Sequence, residues 1–176
     1  MSDVPRTHVA PQAHTFLFAD LVGFSEFTDR HGDDRGADLA VSFHEHVCEL
    51  AAELGCHVVK LIGDAVMVRS DSGHASVELA RRILGLAEDE GFPLARVGLD
   101  TGPAVERDGD WFGSTVNTAA RVASAADAGE FLMTERTREA LTAVAPSELS
   151  RRGRRTLKGL PEHTLFGASC AAEAPA

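Results

Sequence analysis

Hydrophobic positions along this chain fall into two periods. Residues 14–20 (HTFLFAD) are apolar on both faces and close on an acid, the pattern of a buried strand. Ala40, Phe43, Val47, Leu50 and Leu54 recur at spacings of three and four, one stripe of an amphipathic helix, and Gly55 sits where such a helix stops. Residues 56–62 (CHVVKLI) and 65–69 read as two further strands, with Gly63-Asp64 between them at hairpin spacing. Val77, Ala80, Leu84 and Ala87 mark another helix, stopped by Gly91 and Pro93. Residues 94–101 form a strand that Gly102-Pro103 breaks, and Asp108-Gly109 is a tight-turn signal. A helix over 113–126, a strand over 130–134 and a short helix over 135–141 follow, with short strands expected around 147–157 and 163–166.

The order strand, helix, strand, strand, helix, strand, helix, strand suits an α/β sandwich of ferredoxin-like type, with helices packed on a mixed sheet. A chain of 176 residues is long enough for one domain with a sizeable core. The domain is expected over 14–167, between a polar, flexible arm bearing Pro5 and Pro11 (1–13) and a flexible low-complexity tail (168–176). No apolar run approaches the roughly 18 residues that would cross a bilayer. The first residues lack the apolar stretch of a signal peptide, so a cytoplasmic protein without membrane contact is expected.

Charge and cysteine content narrow the function. A net charge of −10 disfavours general nucleic-acid binding. The basic cluster of Arg151, Arg152, Arg154, Arg155 and Lys158 reads mostly as a solvated strand. Cys48, Cys56 and Cys170 form no CxxC pair, which argues against a disulfide framework and against zinc. Cys48 and Cys56 read as small core residues. His44 and His46 are two apart on a helix and cannot face one metal together, so all eight histidines are taken as structural or exposed.

Three stretches carry chemistry. Asp20 ends an apolar strand and Asp64 occupies a hairpin. A carboxylate at the end of a buried strand is costly unless paired, hydrogen-bonded or metal-bound. Two on neighbouring strands could hold a divalent cation together with substrate phosphate oxygens. From the two acids alone, a helix cap and a turn residue are the leading explanation. Gly23, Phe24 and Ser25 run from strand end into helix start, where free backbone N–H groups and the helix dipole suit a phosphate; no GxxxxGK[ST] motif is present. Lys60 interrupts VVKLI, where alternation puts it on the face of Val58 and Ile62, either snorkelling to an edge or presenting a donor to a ligand. Asn117 and Arg121, at i and i+4, share a face of a helix otherwise rich in small residues, either as anion contacts or as an exposed polar stripe.

FADLVGFS, KLIGDAV and GDWFGSTVNTAAR, in this order, resemble the catalytic domain of class III nucleotidyl cyclases over roughly residues 14–167. The short connection TGPAVERDGDWFG resembles the bacterial branch. The resemblance implies that Asp20 and Asp64 hold two Mg²⁺ or Mn²⁺ ions per site. It implies that Lys60 and Asp110 read adenine, that Asn117 positions the ribose and Arg121 the transition state, and that Lys158 binds triphosphate. Guanylate-specific members tend to have Glu and Cys where this chain has Lys60 and Asp110. The implied activity is therefore conversion of ATP to 3′,5′-cyclic AMP and pyrophosphate, with GTP use left open by the looser base recognition of the short-turn branch. It also implies a homodimer whose two active sites are each shared between the chains. Three other readings compete. A catalytically inert cyclase-like module would not need every matched position to be competent. A diguanylate cyclase would read GG[DE]EF, where this chain has Ile62-Gly63-Asp64-Ala65-Val66. A plain structural α/β domain leaves Lys60 and the Asn117/Arg121 pair unexplained.

Overall fold

The computed structural model describes residues 12–141 and 149–169. Cys170, almost all of the expected arm and tail, and the first residues of the strand expected over 147–157 lie outside them. β1 (Ala13–Leu21) runs through the middle of the sheet. It pairs antiparallel with β3 (Ala65–Ser70) on one side and β4 (Ala95–Pro103) on the other. β2 (His57–Ile62) joins β3 through the expected hairpin, with Gly63 at φ 61°. Beyond β4 come β7 (Glu130–Thr134) in parallel, then β9 (Glu162–Ser169) and β8 (Ser150–Thr156), both antiparallel. The mixed seven-stranded order is β2-β3-β1-β4-β7-β9-β8.

Helices cover both faces. On one, α2 (Asp33–Glu53) and α3 (Gly73–Asp89) pack Phe43, Val47, Val77 and Ile83 against Leu17, Ala19, Val97, Leu99 and Phe131. On the other, α4 (Ser114–Ala125) and a separate hairpin, β5 (Val105–Arg107) with β6 (Asp110–Phe112), cover Phe16 and Met67. Residues 16–19 are apolar on both faces because β1 feeds both cores, Leu17 and Ala19 to one and Phe16 and Phe18 to the other. Each fully buried Phe contributes about 1.5–3 kcal/mol relative to exposure. α5 (Glu135–Glu139) is capped by Thr134, whose hydroxyl also donates to the fully buried carboxylate of Asp100 at 2.5 Å. Burial pushes the Asp100 pKa up, and its ion pair with Arg136 opposes that shift while docking α5 onto β4.

Three details depart from the sequence pattern. The helical stretch before Gly55 is two helices, α1 (Phe24–His31) and α2, broken at Gly32 with φ 92°. TGPAVERDGDWFG is an ordered hairpin, closed by Asp108 at φ 52° and Gly109 at φ 80°, the left-handed pair of a type I′ turn. Lys60 does not share a face with Val58. A β-bulge between them lets Val58 pair with Val68 on the α2/α3 face and Lys60 with Met67 on the α4 face. The extra residue, Val59, resets the alternation and re-aims the lysine.

α4 lies directly on β4 at Gly98, where an added Cβ would sit 1.9 Å from the Ala123 backbone nitrogen. Neither backbone can yield cheaply, so Gly98→Ala should lower stability by about 1–3 kcal/mol or more. A denaturant midpoint unchanged from wild type would mean that the helix stands off the strand.

Candidate active site

Asp20, the penultimate residue of β1, points to the α4 side of the sheet, opposite in face to Ala19 and Leu21. Arg96 stands directly across from it on β4. The guanidinium donates from Nε to Oδ1 at 2.6 Å and from Nη2 to Oδ2 at 3.0 Å, a bidentate pair that answers the cost of a carboxylate at a strand end. Asp64, in the β2–β3 turn, accepts the Leu21 N–H at 3.0 Å, which ties the turn to the end of β1. The hydrogen bond from Arg96 to Asp20, with the charge of Asp64 acting in the same sense, raises the guanidinium pKa. The two acids, distant in sequence, thus lie at the same end of β1.

Two residues of this corner escaped the sequence reading. Arg96 is one polar position in a strand, and only the β1–β4 register discloses its partner. His44 projects from α2 to the turn carrying Asp64, and its Nε2 is buried without a hydrogen-bond partner among the described residues. Desolvation lowers its pKa, against the Asp64 charge and the carbonyls of Gly63 and Asp64.

No three His, Cys, Asp or Glu side chains converge into a metal cage among the described residues. Asp20 and Asp64 offer a pair of hard oxygen ligands instead. That donor set fits Mg²⁺ or Mn²⁺ completed by phosphate and water, and not zinc.

Lys60 and Asp110 meet across β2 and β6. The ammonium donates to Oδ2 at 2.6 Å and Oδ1 at 2.9 Å, and the Phe112 ring centroid lies 5.9 Å from the same nitrogen. The Lys60 hydrogen bonds, helped by the Trp111 N–H, hold the Asp110 carboxyl below the usual range. On α4, Thr115, Val116, Thr118, Ala119, Val122 and Ala123 are buried, while Asn117 and Arg121 face outward. Those two line a cavity of about 460 Å³ with Ala120, Lys158, Gly159 and Leu160, Lys158 coming from the β8–β9 loop. Gly23, at φ 78°, is the N-cap of α1 and supplies no side-chain cap. The first-turn amides that include Phe24 and Ser25 therefore have no partner within the helix.

Apart from the Lys60–Asp110 pair and the start of α1, the candidate residues form two groups within one chain. Asp20 and Asp64 sit at the sheet end. Asn117, Arg121 and Lys158 open away from that sheet, because α4 turns its buried face toward it.

Residues 9–167 match the family described as the adenylate and guanylate cyclase catalytic domain. The chain belongs to this family, the class III nucleotidyl cyclases. The domain is 38% identical over 110 residues to an adenylate cyclase of Streptomyces griseus, covering 62% of this chain and 28% of that protein. It is 37% identical over 131 residues to a pH-sensitive adenylate cyclase of Mycobacterium tuberculosis, covering 72% of this chain and 32% of that one. The chain therefore spans about a third or less of the curated relatives it matches. Its fold is that of the adenylyl cyclase CyaB from P. aeruginosa, with TM-score 0.76 at 21% identity over 92% of this chain and 95% of that one. Among the described residues, no helix of the cyclase domain is long and apolar enough to cross a membrane.

The Lys60–Asp110 pair sets a pH expectation. Because the Asp110 pKa is depressed, the pair is complete above the ordinary carboxylate range and is lost as pH falls through the lowered value. Lys60→Met should return the Asp110 titration upward to the ordinary range, followed by carboxyl-carbon NMR. Identical titrations in the two proteins would show that the pair does not form in solution.

Proposed function

We propose that this domain is an adenylate cyclase, converting ATP to 3′,5′-cyclic AMP and pyrophosphate through attack of the ribose 3′-oxygen on the α-phosphorus. The observation that carries this reading is the Lys60–Asp110 pair, 2.6 Å apart, with Lys60 on the β2 arm that leads into Asp64 and Asp110 on the neighbouring β6. An adenine edge presents an acceptor, N1, beside a donor, the N6 amine. A lysine and a carboxylate held side by side can take both. The two curated adenylate cyclases described above support the same assignment. Guanine also offers an acceptor beside a donor, so the second reading is a cyclase that prefers ATP and also accepts GTP.

Each remaining residue has a role its position suits. Asn117 orients the ribose, a positional contribution. Arg121, on the same helix face, stabilises charge building on the transferring phosphoryl group. Lys158, across the cavity, and the first-turn amides at Gly23, Phe24 and Ser25 hold phosphate oxygens. Arg96 fixes the orientation of the Asp20 carboxylate. Two divalent cations held by Asp20 and Asp64 would lower the pKa of the 3′-hydroxyl and neutralise the leaving pyrophosphate. The direction in which Asn117 and Arg121 face supports a homodimer with two shared sites, in which one chain contributes Asp20 and Asp64 and the other contributes Lys60, Asp110, Asn117 and Arg121.

The test is incubation of the purified chain with ATP or GTP and Mn²⁺ or Mg²⁺, with detection of cyclic product. The wild type should form cyclic AMP with kcat/KM for ATP above that for GTP. Asp20→Ala and Asp64→Ala should each abolish the product while leaving circular dichroism unchanged. No cyclic product from wild type would refute the activity, and unchanged turnover in either variant would refute the metal assignment.

A further inference from the structure

The β5–β6 hairpin stands outside the seven-stranded sheet as a ribbon of three residues a side. A two-stranded ribbon of that size does not hold its own position in water. Yet it carries Asp110, which must meet Lys60 of β2 to within a hydrogen bond. Alternation along β6 shows how it is held. Asp110 and Phe112 point to one side and both reach the Lys60 ammonium, while Trp111 points to the other, onto the main sheet.

Trp111 enters a seat built by β1 and β3. Its ring centroid is 5.6 Å from that of Phe16 and 4.7 Å, edge-on, from that of His14, and the Arg69 guanidinium lies 5.2 Å over its face. The walls are themselves fixed. Phe16 is fully buried. Asp71 accepts from Arg69 Nη1 at 2.9 Å and lies 2.6 Å from His14 Nδ1, joining the cation and the imidazole. The Trp111 backbone N–H donates to Asp110 Oδ1 at 2.8 Å, so where the indole seats this stretch of β6 also bears on the carboxylate. The neighbouring α4 is held separately, by its close approach to Gly98.

We propose that Trp111 is a positioning residue for base recognition, its seat on Phe16, His14 and Arg69 setting where Asp110 stands relative to Lys60. The inference rests on the reading of Lys60 and Asp110 as the base-binding pair, and Trp111 acts only through Asp110. Removing the indole frees the hairpin to shift. Nucleotide affinity then suffers more than turnover, because the residues assigned to the metals, phosphates and ribose are held by β1, the β2–β3 turn, the start of α1, α4 and the β8–β9 loop.

The experiment is a double-mutant cycle with kcat and KM for ATP measured on wild type, Trp111→Ala, Asp110→Ala and the double variant, with Trp111→Phe as the conservative replacement. Trp111→Ala should raise KM about tenfold while kcat stays within about threefold. Trp111→Phe should lie near wild type. In the Asp110→Ala background the tryptophan change should add nothing, since its effect runs through the missing carboxylate. A fall in kcat in both backgrounds with KM unchanged is the signature of a general structural role and overturns the proposal. An Asp110→Ala variant with wild-type KM overturns the base-binding reading itself. A raised KM in Asp110→Ala, with Trp111→Ala either silent in the otherwise wild-type protein or additive in the double variant, overturns the anchor alone. Should Trp111→Ala fail to fold, Trp111→Leu takes its place in the cycle with the same expectations.

Discussion

The structure depends on how closely α4 can approach β4. At Gly98 the strand offers no side chain, and the backbone of Ala123 occupies the space where a Cβ would stand. Ala119 and Val122, both fully buried, continue this contact along the helix. Close seating of small residues fixes the rotation of α4 about its axis. Once Val116, Ala119 and Ala123 face the sheet, Asn117 and Arg121 must face away from it. The helix thereby sets the outward face of Asn117 and Arg121.

The carboxylate corner is held by different means. The Leu21 N–H ties the Asp64 turn to the end of β1, and the Arg96 guanidinium, bonded to Asp20, supplies the compensating charge. Two like charges at a sheet end would repel without it, and a bidentate arginine restrains Asp20 in one orientation. His44 borders the same turn from the opposite side of the sheet, its desolvated ring favouring the neutral form. This corner is preorganised from both faces of the sheet.

Much of this was legible in the sequence, for identifiable reasons. The run 14–20 announced a central strand because a strand buried on both faces has no polar alternation to lose. The stripe from Ala40 to Leu54 announced α2 because one helix face meets the core. Lys60, Asn117 and Arg121 stood out as polar residues in apolar or small-residue surroundings, and Asp110 only through the resemblance that GDWFGSTVNTAAR carries. The remainder required pairing information. The Arg96–Asp20 contact exists only in the β1–β4 register. The side on which Lys60 emerges depends on one extra residue in a bulge, which a period-two reading misses. The break at Gly32 and the order of the β5–β6 ribbon depend on left-handed backbone at Gly32, Asp108 and Gly109, and Trp111 reads as just another aromatic until its seat is assembled from β1 and β3.

In the proposed shared site, the carboxylates come from one chain and the Asn117–Arg121 face from another. Mixing Asp20→Ala protein with Arg121→Ala protein tests this directly. Each variant alone lacks an essential group in both sites of its dimer. In a mixed dimer, one site draws Asp20 from the Arg121→Ala chain and Arg121 from the Asp20→Ala chain, and is intact. A one-to-one mixture with free exchange places about half of the dimers in the mixed form, so cyclic-AMP formation should return to roughly a quarter of wild type. Absence of recovery, with mixed dimers confirmed by co-purification of differently tagged chains, would contradict the shared site.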